Sequence, residues 1–286
     1  MAKVKLITDS TCDLSPALLK AHDIDVVPLI VTLGDNSYYD GVTLSTKQMY
    51  DKVEKHDVHP KTAAASPGAF MERFEKYLKQ GYSIFYTGIG SKFSGTYQSA
   101  QTARNMVEVE GGRNNIFILD SHNLSSGSGL LMLKAAKYRD QGHDAETVHR
   151  KVRSHVPKVR SQFVIDTLEY LHRGGRIGGL KHMMGSMLRL KPIIKVRDGA
   201  MHVGKKARGN IKKGIDLMID EALKHTDDID SDCLMITHSL SPDMASYIHQ
   251  RIEDEFSIKT IHETEAGCVI SSHCGKGTIG ILYILK

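Results

Sequence analysis

Short apolar runs rich in β-branched residues alternate with segments of helical period through the first half of the chain. Polar turn residues follow each of these runs, which are KVKLIT (3–8), VVPLIVTL (26–33), SIFYTGIG (83–90) and NIFILD (115–120). This alternation is typical of a mainly parallel sheet whose strands are joined by helices. The hydrophobic pattern therefore predicts an α/β domain in the N-terminal half.

Hydroxyl side chains mark the starts of several helices. Ser15-Pro16 and Ser66-Pro67 each place a capping hydroxyl before a proline at the first helical position, and Ser45 with Gln48 fits a capping box. After Ser66, four residues fall on one face of a helix: Phe70, Phe74, Tyr77 and Leu78. These signals predict a helix after each cap, and the third helix should pack on a core.

The second half of the chain has a different character. A glycine-rich, helix-compatible stretch (168–190) precedes Asp198-Gly199, which is a strong hairpin signal. After further helical segments and the strand CLMITHS (233–239), the chain closes with GCVISSHCGKGTIGILYILK, in which two β-type runs flank a polar centre. We expect a mixed α/β fold for this half.

The length of the chain favours two domains. A chain of 286 residues is long for a single hydrophobic core. Pro157 interrupts the helical pattern near residues 155–162, and a boundary there divides the chain into domains of residues 1–158 and 159–286.

Charge and cysteine content narrow the function. The formal net charge of +5 is spread along the sequence, whereas nucleic-acid binding calls for a clustered basic stripe; an acidic partner or a small anion remains compatible. The four cysteines form no C-x-x-C pair: Cys12, Cys233, Cys268 and Cys274.

The first ten residues lack the apolar core of a signal peptide, and no apolar run approaches a membrane span of about 18 residues. We expect a cytoplasmic protein with reduced thiols.

Two polar segments follow predicted strands and are candidate ligand sites. Asp9, Ser10 and Thr11 lie between a predicted strand and the helix that follows it, which is a common place for ligand contacts. The favoured interpretation is a turn, because side-chain to backbone hydrogen bonds within a turn are enough to account for these residue types. In GIGSKFSGTYQSA (88–100), Ser94 lies at a helix start, where it could hold a carboxylate or phosphate or simply cap the helix. The segment matches neither a Rossmann fingerprint nor a phosphate loop, which disfavours a nucleotide.

The segment HRGGRIGG (172–179) surrounds Arg176 with glycines. Each glycine destabilises a helix interior by about 1 kcal/mol relative to alanine. Two features could compensate for this cost: close packing of the helix against a neighbour, or a bent backbone that carries Arg176 to an anion. Nearby methionines could line a deformable pocket, but core filling is favoured for all of them: Met183, Met184, Met187 and Met201.

The polar centre of the closing segment is Ser271-Ser272-His273-Cys274. A Ser–His catalytic pair needs a third, orienting group, and no G-x-S-x-G elbow is present. A zinc site lacks a fourth ligand at familiar spacing, and in a strand His273 and Cys274 would point to opposite faces. An imidazole that donates to an anion beside glycine amides is the favoured interpretation.

Taken together, the segments TDSTCDL, SGTYQSA, GGRIGG with KPII, and GCVISSHCGKGTIG closely resemble the DegV family in order and spacing. This family comprises bacterial fatty-acid-binding proteins, some of which are the lipid-presenting subunit of a fatty acid kinase. The resemblance covers essentially the whole chain. It implies a two-domain α/β fold that buries one long acyl chain in its interior.

The resemblance also implies roles for individual residues. The carboxylate-binding hydroxyls of the family match Thr62 and Ser94, and Arg176 and His273 match an arginine and a histidine near the head group that face the kinase. Arg208 is the nearest counterpart of a basic residue involved in kinase docking.

Two segments depart from the family pattern. Ala63, Ala64 and Ala65 replace a common Ser-Gln-Pro, which affects the position of the loop that carries Thr62. Lys276 replaces a frequent proline and is expected to add a cation near the anion site.

These observations predict a non-enzymatic carrier without a cofactor. It binds one long-chain fatty acid and presents the carboxylate to an ATP-dependent kinase subunit, which forms acyl phosphate for phospholipid synthesis; transient contact with a membrane surface fits this role. Two alternatives are an acyl hydrolase that uses Ser94 or Ser272 with His273, and a regulatory protein that binds a small anion. We expect Thr62, Ser94, Arg176 and His273 to converge at one pocket mouth.

Overall fold

The protein is described by a computed structural model that covers residues 3–108, 111–186, 190–224 and 228–286. In these ranges the β-strands are β1 (Lys3–Asp9), β2 (Ile24–Val27), β3 (Ile30–Leu33), β4 (Asn36–Tyr39), β5 (Lys61–Ala63), β6 (Tyr82–Thr87), β7 (Ile116–Leu119), β8 (Val159–Val164), β9 (Leu190–Arg197), β10 (Ala200–Arg208), β11 (Ile229–His238), β12 (Ile261–Glu265) and β13 (Ile279–Leu285).

The α-helices are α1 (Pro16–Ala21), α2 (Thr46–His56), α3 (Pro67–Leu78), α4 (Thr96–Met106), α5 (Ser126–Asp140), α6 (Ala145–Arg153), α7 (Glu169–Arg173), α8 (Ile211–Ala222), α9 (Pro242–Glu255) and α10 (Cys268–Cys274). Short 3₁₀ turns cover Ser10–Cys12, Gly112–Asn115, Val156–Lys158 and Gly178–Ser186. Among the described helices, none has the length and apolar character that crossing a bilayer requires.

The N-terminal half contains a parallel sheet, as predicted. Its strand order is β2-β1-β6-β7, and every neighbouring pair in it is parallel. A small antiparallel sheet of order β4-β3-β5 lies beside it, and its strand β5 carries Thr62 opposite Val31. The small antiparallel sheet therefore places the Thr62 hydroxyl near the loops of the parallel sheet.

The C-terminal half contains one mixed sheet of order β10-β9-β8-β13-β11-β12. Its neighbours are antiparallel except for β11 and β12, which are parallel. Asp198 and Gly199 link β9 to β10 with φ angles of 53° and 72°, as a type I′ hairpin turn requires. The predicted two-domain α/β fold is confirmed.

Helix α5 packs between the parallel sheet and the mixed sheet. One apolar cluster contains Leu6 of β1, Leu130 and Leu131 of α5, Met235 of β11 and Leu282 of β13. Among the described residues no strand pair joins a residue before 158 to one after it, which supports the division at residues 158 and 159. That division remains a prediction.

The helix caps form as predicted. The Ser15, Ser45 and Ser66 hydroxyls accept from backbone N–H groups of the first turn, and Ser45 and Gln48 complete a capping box. In α3, Phe70 and Phe74 are fully buried.

The closing segment departs from its prediction. Its first apolar run forms helix α10 rather than a strand, while its second forms the core strand β13. Gly267 precedes α10; its N–H donates to Asp13 at 2.8 Å, and the Cys268 N–H donates to Asp40 at 2.7 Å. Because these distant carboxylates satisfy the free N–H groups of the first turn, the run is helical despite its β-type composition.

The glycine-rich stretch also differs from the continuous helix that its composition permits. Helix α7 ends at Arg173, and the backbone then turns through Gly175 and Gly178, which have φ angles of 71° and 45°. A bent backbone therefore carries Arg176, one of the two alternatives considered for this segment.

Candidate functional site

Four side chains from distant parts of the sequence line one cavity. Thr62 comes from β5, Ser94 from the loop before α4, Arg176 from the turn after α7, and His273 from α10. The other lining residues are mainly apolar or small and include Ile89, Phe93, Leu124, Met201 and Ile270. The structure thus brings the four predicted site residues together, while their roles in binding stay predictions.

Thr62 and His273 form the direct link between the small sheet and helix α10. The Thr62 Oγ1 and His273 Nε2 atoms share a hydrogen bond of 2.9 Å. This contact fixes the imidazole edge that faces the cavity.

The imidazole of His273 is held neutral by its surroundings. Burial, together with repulsion of a second positive charge by the nearby Arg176 and His59, lowers its pKa to about 4. Its Nδ1 atom is buried and has no hydrogen-bond partner among the described residues. Gly174 packs against this edge so closely that a Cβ atom there would lie 2.1 Å from Nδ1. Glycine at 174 is therefore a steric requirement for this ring position.

We expect His273 to remain uncharged in the folded protein at pH 5. Its folded pKa of about 4 lies below the ordinary value of 6.5, so its contribution to stability is complete above pH 6.5 and is lost as the pH falls towards 4. NMR titration of the imidazole, assigned with His273→Gln, measures this directly. The urea-unfolded chain is the control and should titrate near the ordinary value; a folded midpoint above about 6 contradicts the prediction.

Ser94 lies just before the N-cap of helix α4 and lines the cavity. Its Oγ accepts from the Thr96 N–H at 3.2 Å and shares a 2.8 Å hydrogen bond with Thr96 Oγ1. The next residue, Gly95, has no side chain to cover the start of α4. The Ser94 hydroxyl can thus bond to the first residue of α4 and still line the cavity.

Arg176 is anchored to the backbone beside Ser94. Its Nε donates to the Phe93 carbonyl at 3.2 Å, and its Nη1 donates to the Gly174 carbonyl at 2.8 Å. These bonds hold a permanent positive charge at the cavity, where a carboxylate would be attracted to it.

Two predicted basic residues lie away from this cavity. Arg208 is exposed at the end of β10, where it pairs with Leu190. The Lys276 Nζ pairs with Glu54 at 3.1 Å on the surface. Lys276 does not line the cavity, and the expectation that it adds a cation near the anion site stays a prediction.

The strand end at Asp9 behaves as the favoured turn interpretation predicts. Asp9 Oδ1 accepts from the Thr11 N–H at 3.0 Å, while its Oδ2 accepts from the Ile89 N–H and the Tyr86 hydroxyl, both at 2.9 Å. The carboxylate therefore fixes the loop that leads towards Ser94.

A second, apolar cavity adjoins the first. The two share four lining residues: Leu124, Met201, Ile270 and His273. The second cavity extends past Phe163, Leu171 and Leu282 into the interior, with a few hydroxyls such as those of Thr237 and Thr278. Polar groups at one end and apolar walls beyond them form a site suited to an amphipathic ligand.

Sequence reasoning missed most of this apolar lining. Met201 was expected to fill the core but lines both cavities. Met184 is 40% exposed, the burial of Met183 lies outside the described features, and Met187 lies outside the described residues. The residues next to Met201 in the sequence do not indicate that it lines a cavity, because its position depends on the pairing of β10 with β9.

The arrangement does not form a Ser–His catalytic pair. The Ser272 hydroxyl donates to the Cys268 carbonyl at 2.6 Å, and Ser94 bonds to Thr96. Across the described part of the chain, neither serine nor any carboxylate hydrogen-bonds to His273, so the third group of a triad is missing there. The described residues also contain no group of three or more His, Cys, Asp or Glu side chains placed to hold a metal ion.

Comparison with known proteins identifies the family. A family model described as an uncharacterised protein of the DegV family matches residues 3–286. The chain belongs to the DegV family. A DegV domain-containing protein of Clostridium acetobutylicum is 34% identical over 289 residues, which cover 100% of both chains.

Solved structures of two fatty-acid-binding proteins have the same fold. A DegV family protein from Thermus thermophilus, whose structure is described as showing fatty acid binding, has a TM-score of 0.91 and 27% identity and covers 99% of this chain and 100% of its own. A stearic acid-binding protein from Eubacterium ventriosum has a TM-score of 0.89 and 27% identity, with coverage of 100% and 99%.

Proposed function

We propose that this DegV protein binds one long-chain fatty acid, with the carboxylate at Thr62 and Ser94 and the acyl chain in the adjoining apolar cavity. The observation that carries the proposal is the junction of two cavities, one with hydroxyl, guanidinium and imidazole groups and the other with apolar walls. The fatty-acid-binding structures from Thermus thermophilus and Eubacterium ventriosum support it.

The energetics of the site suit an acyl chain. Each buried methylene contributes about 0.8 kcal/mol, so burial of a long chain supplies most of the affinity. Neutral hydroxyl donors then orient the carboxylate without enclosing it in a tight ion pair. The Arg176 guanidinium adds a positive charge, but its Nε and Nη1 atoms already donate to backbone carbonyls. The head group can be held and still be reached by a partner.

Lipid extraction tests the proposal. We expect purified protein, once denatured and extracted, to release about one long-chain fatty acid per chain in a mass spectrum, and delipidated protein to take up added fatty acid. Absence of both bound lipid and uptake would refute the proposal. Stabilisation by short carboxylates or phosphate without any long-chain uptake would favour an anion-binding regulator instead.

A finer proposal concerns the fate of the bound carboxylate. We infer that an ATP-dependent kinase subunit phosphorylates it, giving acyl phosphate for phospholipid synthesis, and that the carrier acts in the cytoplasm with transient contact at a membrane surface. The exposed position of Arg208 supports a docking role for this residue. In a reconstituted assay, Arg208→Ala should lower acyl phosphate formation without loss of bound lipid; equal formation by both proteins contradicts that role.

A further inference from the structure

A basic cavity lies on the mixed sheet beneath the C-terminal end of α8, and it shares Ser161 and Gln162 with the lining of the apolar cavity of the proposed lipid site. Its volume is about 180 Å³, and its lining includes Arg160, Gln162, Lys195, Arg197 and Tyr283. A water molecule occupies about 30 Å³ in the liquid, so the cavity has room for several waters or one small oxyanion. Neither the lipid proposal nor the family resemblance gives this cavity a role.

The strand register places the polar groups of this cavity on one face. Gln162 pairs with Lys195 and Ser161 with Val196 at the end of the antiparallel ladder of β8 and β9, and continuing this register by one residue places Arg160 opposite Arg197. Residues two apart on a strand share a face, which aligns both arginines with Gln162 and Lys195. Like charges directly opposite each other destabilise a sheet, and a bound anion would remove that cost.

Two carboxylates, Glu221 and Asp228, also line the cavity, and Glu221 is already engaged in ion pairs. Glu221 pairs with Lys195, Lys205 and Lys224 at 3.5, 2.7 and 3.2 Å. The Arg160 Nη1 donates to two backbone carbonyls, and the Arg197 guanidinium makes no hydrogen bond or ion pair with any residue in the described ranges. Burial lowers the pKa of Arg160, and repulsion by Arg197 lowers it further, which places the two charges close together.

A buried donor without a partner points independently to a ligand. Gln162 is only 4% exposed, and its Nε2 has no hydrogen-bond partner within the described structure. Leaving such a group unpaired is costly, and the great majority of buried polar groups are satisfied by protein or by bound molecules. Two guanidinium groups beside an unpaired amide donor match the acceptor oxygens of an oxyanion.

We propose that Arg160, Arg197 and Gln162 bind a phosphate group in this cavity. The same two arginines also line a neighbouring crevice of about 640 Å³, to which Arg153 of α6 contributes a third guanidinium group. The site is therefore open to free phosphate and to the phosphoryl group of a larger molecule. Both sources share the chemistry of a doubly charged oxyanion.

Titration of the purified full chain at low ionic strength tests the site. Inorganic phosphate should bind saturably in calorimetry and raise the melting temperature more than sodium chloride does at equal ionic strength. Arg197→Gln should weaken binding about tenfold or more, since it removes a charged donor. Arg208→Gln removes an exposed charge from the same hairpin outside this cavity and should leave phosphate binding unchanged.

Gln162→Leu separates a binding role from a structural one. If the Gln162 Nε2 group binds phosphate, the variant without phosphate should have a melting temperature equal to or above that of the wild type. Its melting temperature should then rise less than that of the wild type when phosphate is added. Adenosine monophosphate distinguishes free phosphate from the phosphoryl group of a larger molecule. If it binds more tightly than inorganic phosphate, the crevice accepts a larger ligand; if it binds more weakly, the site is one for the free ion. Equal phosphate responses in wild type, Arg197→Gln and Gln162→Leu would overturn the proposal.

Discussion

Met201→Trp should reduce the fatty acid retained by the purified protein at least tenfold, from about one per chain. Met201 lines both cavities where they meet, so an indole there obstructs the passage from the polar end to the apolar interior. Each methylene kept out of the apolar cavity forfeits about 0.8 kcal/mol, which over a long acyl chain amounts to several powers of ten in affinity, so the ligand should be lost during purification. Extraction and mass spectrometry of matched preparations measure the loss.

Met201→Leu is the matched control for this prediction. It conserves volume and apolar character, so lipid content should stay near that of the wild type. The side chain is only partly buried on β10, and neither change should prevent folding, which far-UV circular dichroism and the melting temperature report. Full lipid occupancy in the folded Met201→Trp variant would show that the acyl chain does not pass this residue.

Features that depend on neighbouring residues were predictable from the sequence. The caps at Ser15, Ser45 and Ser66 need only a hydroxyl and the next few residues, and the Asp198-Gly199 turn needs only two residues that tolerate positive φ. The parallel sheet follows from strands that alternate with helices. Local chemistry decides each of these outcomes.

Features that depend on distant residues were not predictable from local patterns. Helix α10 forms where its composition suggests a strand, because Asp13 and Asp40 supply acceptors from more than 200 residues earlier in the chain. Arg176 is held by the Phe93 carbonyl, a partner that no spacing reveals. The resemblance to DegV proteins named the polar residues of the site, yet the apolar lining at Met201 emerged only from the assembled sheets.

Asp13→Ala should destabilise the fold by about 3 kcal/mol. The buried carboxyl group accepts from the Gly267 N–H at 2.8 Å and hydrogen-bonds to the Ser125 hydroxyl, and each buried group left unpaired costs about 1–3 kcal/mol. Asp13 also has a φ of 49°, a conformation that alanine adopts less readily than aspartate or asparagine. Urea unfolding measures the change, and because α10 loses one of its two carboxyl tethers, retained fatty acid should fall as well.

Asp13→Asn isolates the charge from the hydrogen bonds. Its amide keeps an acceptor for Gly267 and offers a donor to the Ser125 oxygen, and asparagine tolerates the positive φ. Burial raises the pKa of Asp13 well above its ordinary value of 3.8, so the folded wild type binds a proton that the unfolded chain releases. Wild-type stability from this group is therefore greatest below pH 3.8 and declines as the pH rises towards the folded pKa. The stability of Asp13→Asn relative to wild type should accordingly increase from pH 4 to pH 7, and a difference that stays constant or shrinks would show that the carboxyl is not held protonated by burial.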